Sequence, residues 1–217
     1  MTLALFDLDN TLLAGDSDHA WGEFLAEAGI VDGETHRREN DRYYSQYQTG
    51  TLDIHEYLGF ALQPLTLFDN AQLDAMHREF MQAHILPMIA PKARALLDKH
   101  RARGDRLVII TSTNRFVTEP IAQALGVADL LATEPERRDG RYTGAVHGVP
   151  CFREGKVARL KAWLAQEHES LAGSWCYSDS LNDLPLLELA EHPVAVDPDE
   201  VLRRIAEERG WPIVSLR

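Results

Sequence analysis

The sequence predicts an α/β fold: a mainly parallel sheet with helices on both faces and a helical segment inserted after the first strand. Three observations predict it. The chain opens on a short apolar run, residues 3–8, with carboxylates at its carboxyl end. From Pro91 onward, apolar and β-branched runs alternate with helical patterning. Between the two lies a long stretch, residues 16–87, with helical patterning and little strand signal. Alternating strands and helices imply parallel pairing, because each crossover must return the chain to the same sheet edge.

Each element can be justified in order. Residues 3–8 read as a buried strand. Ser17 and Asp18 suit the cap of a helix through Trp21, Phe24 and Leu25, stopped at Gly29. Residues 34–48 are helical, polar and carry three tyrosines. The run Asp53-Ile54-His55-Glu56 has the shape of a capping box. Residues 70–84 place Leu73, Met76, His77 and Phe80 at helical spacing. After Pro91 come a helix to about 103, a strand over 106–111, a helix over 117–125 and a strand over 128–133. Residues 138–142 read as a hairpin turn. A helix over 154–167, a strand over 174–178, a helix over 182–190 and a strand over 193–196 complete the pattern.

Composition bounds the function. The chain has 217 residues, enough for one domain with a modest insertion. Its formal net charge of −12 argues against nucleic acid and anionic membranes as partners. It also suits an anionic substrate poorly, unless a metal or local cations reverse the field within one site. Cys151 and Cys176 show no zinc spacing or disulfide framework and are expected as free thiols in a reducing compartment. No apolar run approaches the ~20 residues of a membrane helix. No basic start followed by an apolar stretch precedes the first strand, so no signal peptide is expected and the cytoplasm is the expected location. The nine histidines lack metal-ligand spacing and read as surface or helical-segment residues. Oligomeric state is not legible.

Sites in such sheets lie at the carboxyl ends of the strands. Strand one ends in Asp7 and Asp9, which a strand points to the same side. The strand over 106–111 ends in Thr111, Ser112 and Thr113. The strand over 174–178 leads into Asp179, Asn182 and Asp183, and Lys156 opens the helix before it. Two carboxylates beside one reacting oxygen allow one to attack while the other moves a proton. Any of these residues alone is more often a cap, a turn or a solvated side chain. Their joint placement at strand ends argues otherwise.

The run Phe6-Asp7-Leu8-Asp9-Asn10-Thr11 resembles the first motif of the haloacid dehalogenase superfamily. Thr111, Lys156 and Asp179-Ser180-Leu181-Asn182-Asp183 resemble its second, third and fourth motifs, in order along the whole chain. Gly155-Lys156 and the fourth run look most like the phosphoserine-phosphatase-like branch, although Ser178 stands where that branch often has glycine. The resemblance implies a Rossmann-like, doubly wound core over residues 1–15 and 88–217, with a type I helical cap over 16–87. It implies a magnesium-dependent phosphatase acting on a small phosphorylated metabolite. Asp7 would be the nucleophile, forming an aspartyl-phosphate, and Asp9 the general acid and base. Thr111 would donate to phosphate, and Lys156 would pair with Asp7 and the phosphoryl group. Asp7, Asp179 and the carbonyl of Asp9 would hold Mg2+, with Asp183 and Asn182 in support.

Ser112 and Thr113 are expected to contact phosphate. Asp16 follows motif one by the same interval as an acidic substrate contact of phosphoserine phosphatases. It is read either as a partner for a substrate ammonium, as in phosphoserine or histidinol phosphate, or as a helix cap. A phosphotransferase or phosphomutase on the same scaffold, and a non-catalytic phospho-accepting regulator, are the competing readings.

Overall fold

A computed structural model describes residues 2–217. Its centre is a six-stranded sheet in the order β3-β2-β1-β6-β7-β8, every pair parallel. The strands are β1 (Leu3–Phe6), β2 (Arg106–Asn114), β3 (Asp129–Thr133), β6 (Trp175–Ser178), β7 (His192–Val196) and β8 (Ile213–Val214). A two-stranded antiparallel hairpin, β4 (Pro135–Arg138) and β5 (Arg141–Val146), leaves after β3.

Period-two alternation explains the layering. Ala4 and Phe6 of β1, with Leu107 and Ile109 of β2, face one apolar cluster. Leu3 and Leu5, with Val108 and Ile110, face the other. The second cluster is covered by α8 (Glu154–Glu167), α9 (Leu184–Leu187) and α10 (Glu200–Arg209) through Leu160, Leu186, Leu187, Leu202 and Ala206. The first is covered by α6 (Pro91–Ala102), α7 (Arg115–Ala124) and helices of the insertion.

That insertion runs between β1 and α6. It comprises α1 (Ser17–Glu27), α2 (Gly33–Gln48), α3 (Ile54–Leu62), a 3-10 turn (Gln63–Leu67), α4 (Asn70–Phe80), one π-helical stretch (Met81–Ile85) and α5 (Leu86–Met88). Asp16, not Ser17 or Asp18, is the N-cap of α1, accepting from the backbone of Asp18 and His19 at 2.9 Å. The reciprocal capping box sits at Asp69 and Gln72, whereas Asp53 caps α3 on its own. Trp21 of α1 packs edge-on against Phe80 and Phe116, tying α1 to α4 and α7. The insertion therefore shares its apolar interior with the sheet face. A smaller cluster of Tyr43, Leu52 and Phe152 joins α2 to the segment before α8. The hairpin also meets the insertion, where Arg137 donates to the Asn70 side chain at 2.8 Å.

Three histidines are buried: His36 and His77 in the insertion and, contrary to expectation, His100 in α6. His100 shows why: its Nδ1 lies 2.7 Å from Asp105 and its Nε2 2.8 Å from the Tyr177 hydroxyl. Partners for both ring nitrogens make the burial tolerable. Residues 182–190 form a short 3-10 turn (Leu181–Asp183) and α9, rather than one helix. Among the described residues, no helix is long and apolar enough to cross a membrane.

Candidate active site

The chain reverses sheet direction on either side of β1, and the carboxyl ends of β1, β2 and β6 meet there. Asp7 follows β1, its backbone N–H donating to the Tyr177 carbonyl of β6 at 2.9 Å. Asp9 follows two residues later. Asn10 then takes a left-handed turn, φ 56°, which bends the chain out of the sheet toward α1.

Lys156 is fully buried, and the start of α8 aims it inward. Its Nζ lies 2.7 Å from Asp7 Oδ1 and 2.7–2.8 Å from the two oxygens of Asp183. Ser178 donates to Asp183 at 2.8 Å. Burial opposes the lysine's charge, but Asp183 and Asp7 outweigh it and hold the ammonium well above its ordinary value. Burial lifts Asp7 to about 7 against the pull of Lys156, with Asp183 and Asp9 adding to the rise.

The backbone that aims Lys156 is tight. Arg153, just before α8, holds φ 48° and ψ −119°. A Cβ on Gly155 would lie 2.0 Å from the Pro150 carbonyl oxygen. Gly155→Ala is therefore expected to displace α8's first turn, costing at least ~1–3 kcal/mol of stability. Turnover should fall more steeply than stability, because Lys156 is the adjacent residue. Thermal melts and steady-state kinetics on the variant check this.

Asp179 stands beside Asp7. The Thr11 hydroxyl lies 2.8 Å from Asp179 Oδ1 and 3.4 Å from Asp7 Oδ2, and accepts from the Asp179 N–H at 3.1 Å. Burial first, and the Asp7 carboxylate second, push Asp179 well above the usual carboxylate range. Asp7 and Asp183 thus share one buried ammonium while Asp179 stands beside them without a cation, leaving negative charge uncompensated. An all-oxygen donor set with surplus negative charge fits a hard divalent cation such as Mg2+. A separate group, His19, Glu23 and Asp41, also brings metal-type side chains within reach of one another. There, however, Asp41 bonds His19 at 2.9 Å and Glu23 is engaged by Arg37 at 3.2 Å.

Asp9 faces a different set. It accepts from the Ser17 N–H at 2.7 Å and the Thr113 hydroxyl at 2.8 Å, with the Thr111 hydroxyl at 3.4 Å. The amino end of α1 therefore points at this carboxylate. Burial, then Asp16, raises Asp9 to about 6, opposed by the Ser17 and Thr113 hydrogen bonds. Of the other expected contacts, Ser112 lines the same chamber with its buried hydroxyl unpartnered. Asn182 lies off the Asp7 centre: its amide accepts from Arg153 at 2.9 Å and donates to the Tyr47 carbonyl at 3.1 Å. It pins the insertion to the core through Tyr47. Arg115 pairs with Glu134 at 2.8 Å, away from the site.

The insertion roofs the chamber with Asp16, Asp18, Tyr44, Tyr47 and Tyr57. Asp16 thus both caps α1 and faces the chamber. Asp18 and Tyr57 carried no sequence signal for the site, since α1 and α3 meet only in the folded chain.

The sequence profile of the haloacid dehalogenase-like hydrolases matches residues 4–188. A histidinol-phosphatase of Neisseria meningitidis is 44% identical over 99% of both chains. A phosphoserine phosphatase of Mycobacterium tuberculosis is 31% identical, covering 99% of this chain and 70% of its own. A crystal structure of a Bordetella pertussis protein of unknown function superposes with a TM-score of 0.94 at 46% identity, over the whole of both chains. A substrate-bound phosphoserine phosphatase complex superposes with a TM-score of 0.72 at 18% identity, over 100% of this chain and 93% of that one, a likeness of fold.

Proposed function

The chain belongs to the haloacid dehalogenase-like hydrolase family and is a phosphatase, and from that premise we propose that it hydrolyses an amino-bearing phosphomonoester through an aspartyl-phosphate on Asp7 with Mg2+. The observation that carries this reading is the contact of Lys156 Nζ with Asp7 Oδ1 at 2.7 Å, beside Asp179 and across from Asp9.

Charge explains why these parts belong together. A carboxylate approaching a phosphate is repelled by about 4 kcal/mol per pair of like charges ~4 Å apart at an effective dielectric near 20. A dianion makes the repulsion larger. Lys156 offsets it from within the fold. Asp7, Asp179 and the Asp9 carbonyl would hold Mg2+, which supplies the remaining neutralisation and orients the phosphoryl group.

Asp7 attacks phosphorus, forming the O–P bond as the ester O–P bond breaks. Asp9, whose carboxyl is raised to about 6, gives its proton to the leaving alcohol. It then takes a proton from the water that attacks the acyl phosphate, releasing phosphate and restoring Asp7. Thr111, Ser112 and Thr113 supply hydroxyls beside the phosphoryl position, and residues 16–87 form the cap that limits bulk water.

The amino-bearing substrate class rests on Asp16 at the chamber wall, and on relatives that are named for histidinol phosphate and phosphoserine. Phosphate release from a panel of metabolite phosphates tests the reading. Release is expected with Mg2+, without any acceptor alcohol, and to fall to background in excess chelator. Undiminished release in chelator would refute the metal dependence. Transfer to an acceptor without phosphate release would favour a phosphotransferase.

A further inference from the structure

The roof of the chamber holds a carboxylate that the chemistry above leaves without a task. Asp18 lies in the first turn of α1 and is 8% exposed. The Asn114 side-chain amide donates to it at 3.4 Å, and Tyr57 lines the same wall of the chamber. Asp16 stands two residues away on the same wall. Among the described residues, neither Asp16 nor Asp18 has a lysine or arginine partner. Burial is the largest influence on both, lifting Asp16 to about 6 and Asp18 to about 7.

The nearby cations are committed elsewhere. Lys156 is held by Asp7 and Asp183. Arg42 is held by Glu39 at 2.9 Å and Glu56 at 3.1 Å. Arg153 is held by Asn182 and the Gly50 carbonyl at 2.6 Å. Among the described residues no lysine or arginine lines the chamber, and the one histidine on its wall, His19, is held by Asp41 at 2.9 Å. A ligand carboxylate would therefore meet carboxylates and no cation free to pair with it. A ligand ammonium would meet two acidic side chains and the side chains of several tyrosines, all favourable to a cation.

We propose that Asp18, supported by Tyr57, is a substrate-specificity residue that binds the ammonium of the leaving alcohol and selects phosphate esters of amino alcohols over those of amino acids. The proposal rests on the phosphatase reading and narrows its substrate class. Phosphate sits at Asp7 while the amine reaches the α1–α3 wall, so one small molecule spans the chamber. Asp18 touches the substrate away from the reacting atoms, and its loss should appear mainly in KM.

The test compares ligands that differ by one group. L-Histidinol phosphate and its deamino analogue report the amine. Ethanolamine phosphate and O-phospho-L-serine report the carboxylate. The wild type is expected to favour the amine-bearing member of the first pair, and the member lacking a carboxylate in the second, each by about 10- to 100-fold in kcat/KM. Asp18→Asn keeps size and hydrogen bonding. It should reduce the first preference by a similar factor through KM, with little further loss when the amine is also absent. Tyr57→Phe should act in the same direction and more weakly. Equal losses on the amine-bearing and deamino esters would make Asp18 merely structural and overturn the proposal. So would efficient turnover of O-phospho-L-serine by the wild type. Turnover of p-nitrophenyl phosphate with no amine preference would sink this proposal alone. No Mg2+-dependent turnover of any ester would sink the phosphatase reading with it.

Discussion

Asp7→Asn is expected to lower kcat by at least about 10⁴-fold while leaving the protein folded, with a melting temperature at or above that of the wild type. The activity loss follows from chemistry: an amide oxygen cannot form the acyl phosphate. The stability follows from the environment. Asp7 is a buried carboxylate beside Asp179, close to Asp9 and Asp183, and its carboxyl is held near 7 in spite of Lys156. The amide fills the same space and removes like-charge repulsion. Lys156 keeps Asp183, both of whose oxygens lie within 2.8 Å. A gain of stability on loss of function is what a strained catalytic group predicts. Steady-state kinetics and a thermal melt on one preparation check both halves. A variant that turns over normally would remove Asp7 from the nucleophile's role.

Lys156→Met should abolish turnover as well, but with the opposite effect on stability. The lysine is wholly buried, and its ammonium is the shared partner of two carboxylates. Removing one side of a buried ion pair leaves uncompensated charge, at a cost of about 3–5 kcal/mol. Without the lysine, the Asp7 carboxyl, already raised to about 7, would rise further, and the approaching phosphate would lose a neutralising charge. Methionine fills the volume of the lysine stem, so the loss reports charge rather than a cavity. Denaturant unfolding of the wild type, Asp7→Asn and Lys156→Met should order them with Lys156→Met far below the other two. A Lys156→Met protein as stable as the wild type would contradict the ion-pair account.

The contrast between these variants bears on what the sequence could reveal. The sheet was legible, because residues 3–6 and 107–110 are apolar on both faces and are followed by polar groups at their carboxyl ends. Lys156 was legible for its position before β6, yet its burial was not, since helical spacing alone does not tell an inward lysine from a solvated one. What aims it, the turn at Arg153 and the room that Gly155 leaves beside Pro150, is a property of the folded backbone. The last two elements, α10 and β8, escaped because a polar helix and a two-residue edge strand carry little pattern of their own. Asp16 was read as cap or ligand partner, and the fold uses the cap while leaving the carboxylate at the chamber wall. Asp18 was read, with Ser17, as a helix cap. Only the packing of α3 against α1 brings Tyr57 over it, and no local spacing encodes that meeting. Asn182 sits inside the fourth acidic run, so the resemblance assigned it to the support of the metal site. Folding instead places its amide between Arg153 and Tyr47, where it ties the insertion to the core.

On the proposed mechanism, Asp7 itself carries the phosphoryl group between substrate and water. Rapid acid quench of the wild type during turnover with Mg2+, followed by peptide mapping by mass spectrometry, tests it most directly. The expected result is one added phosphoryl group on the peptide containing Asp7, lost on treatment with hydroxylamine and absent from Asp7→Asn. A phosphoryl group on any other residue, or undiminished labelling of Asp7→Asn, would contradict it.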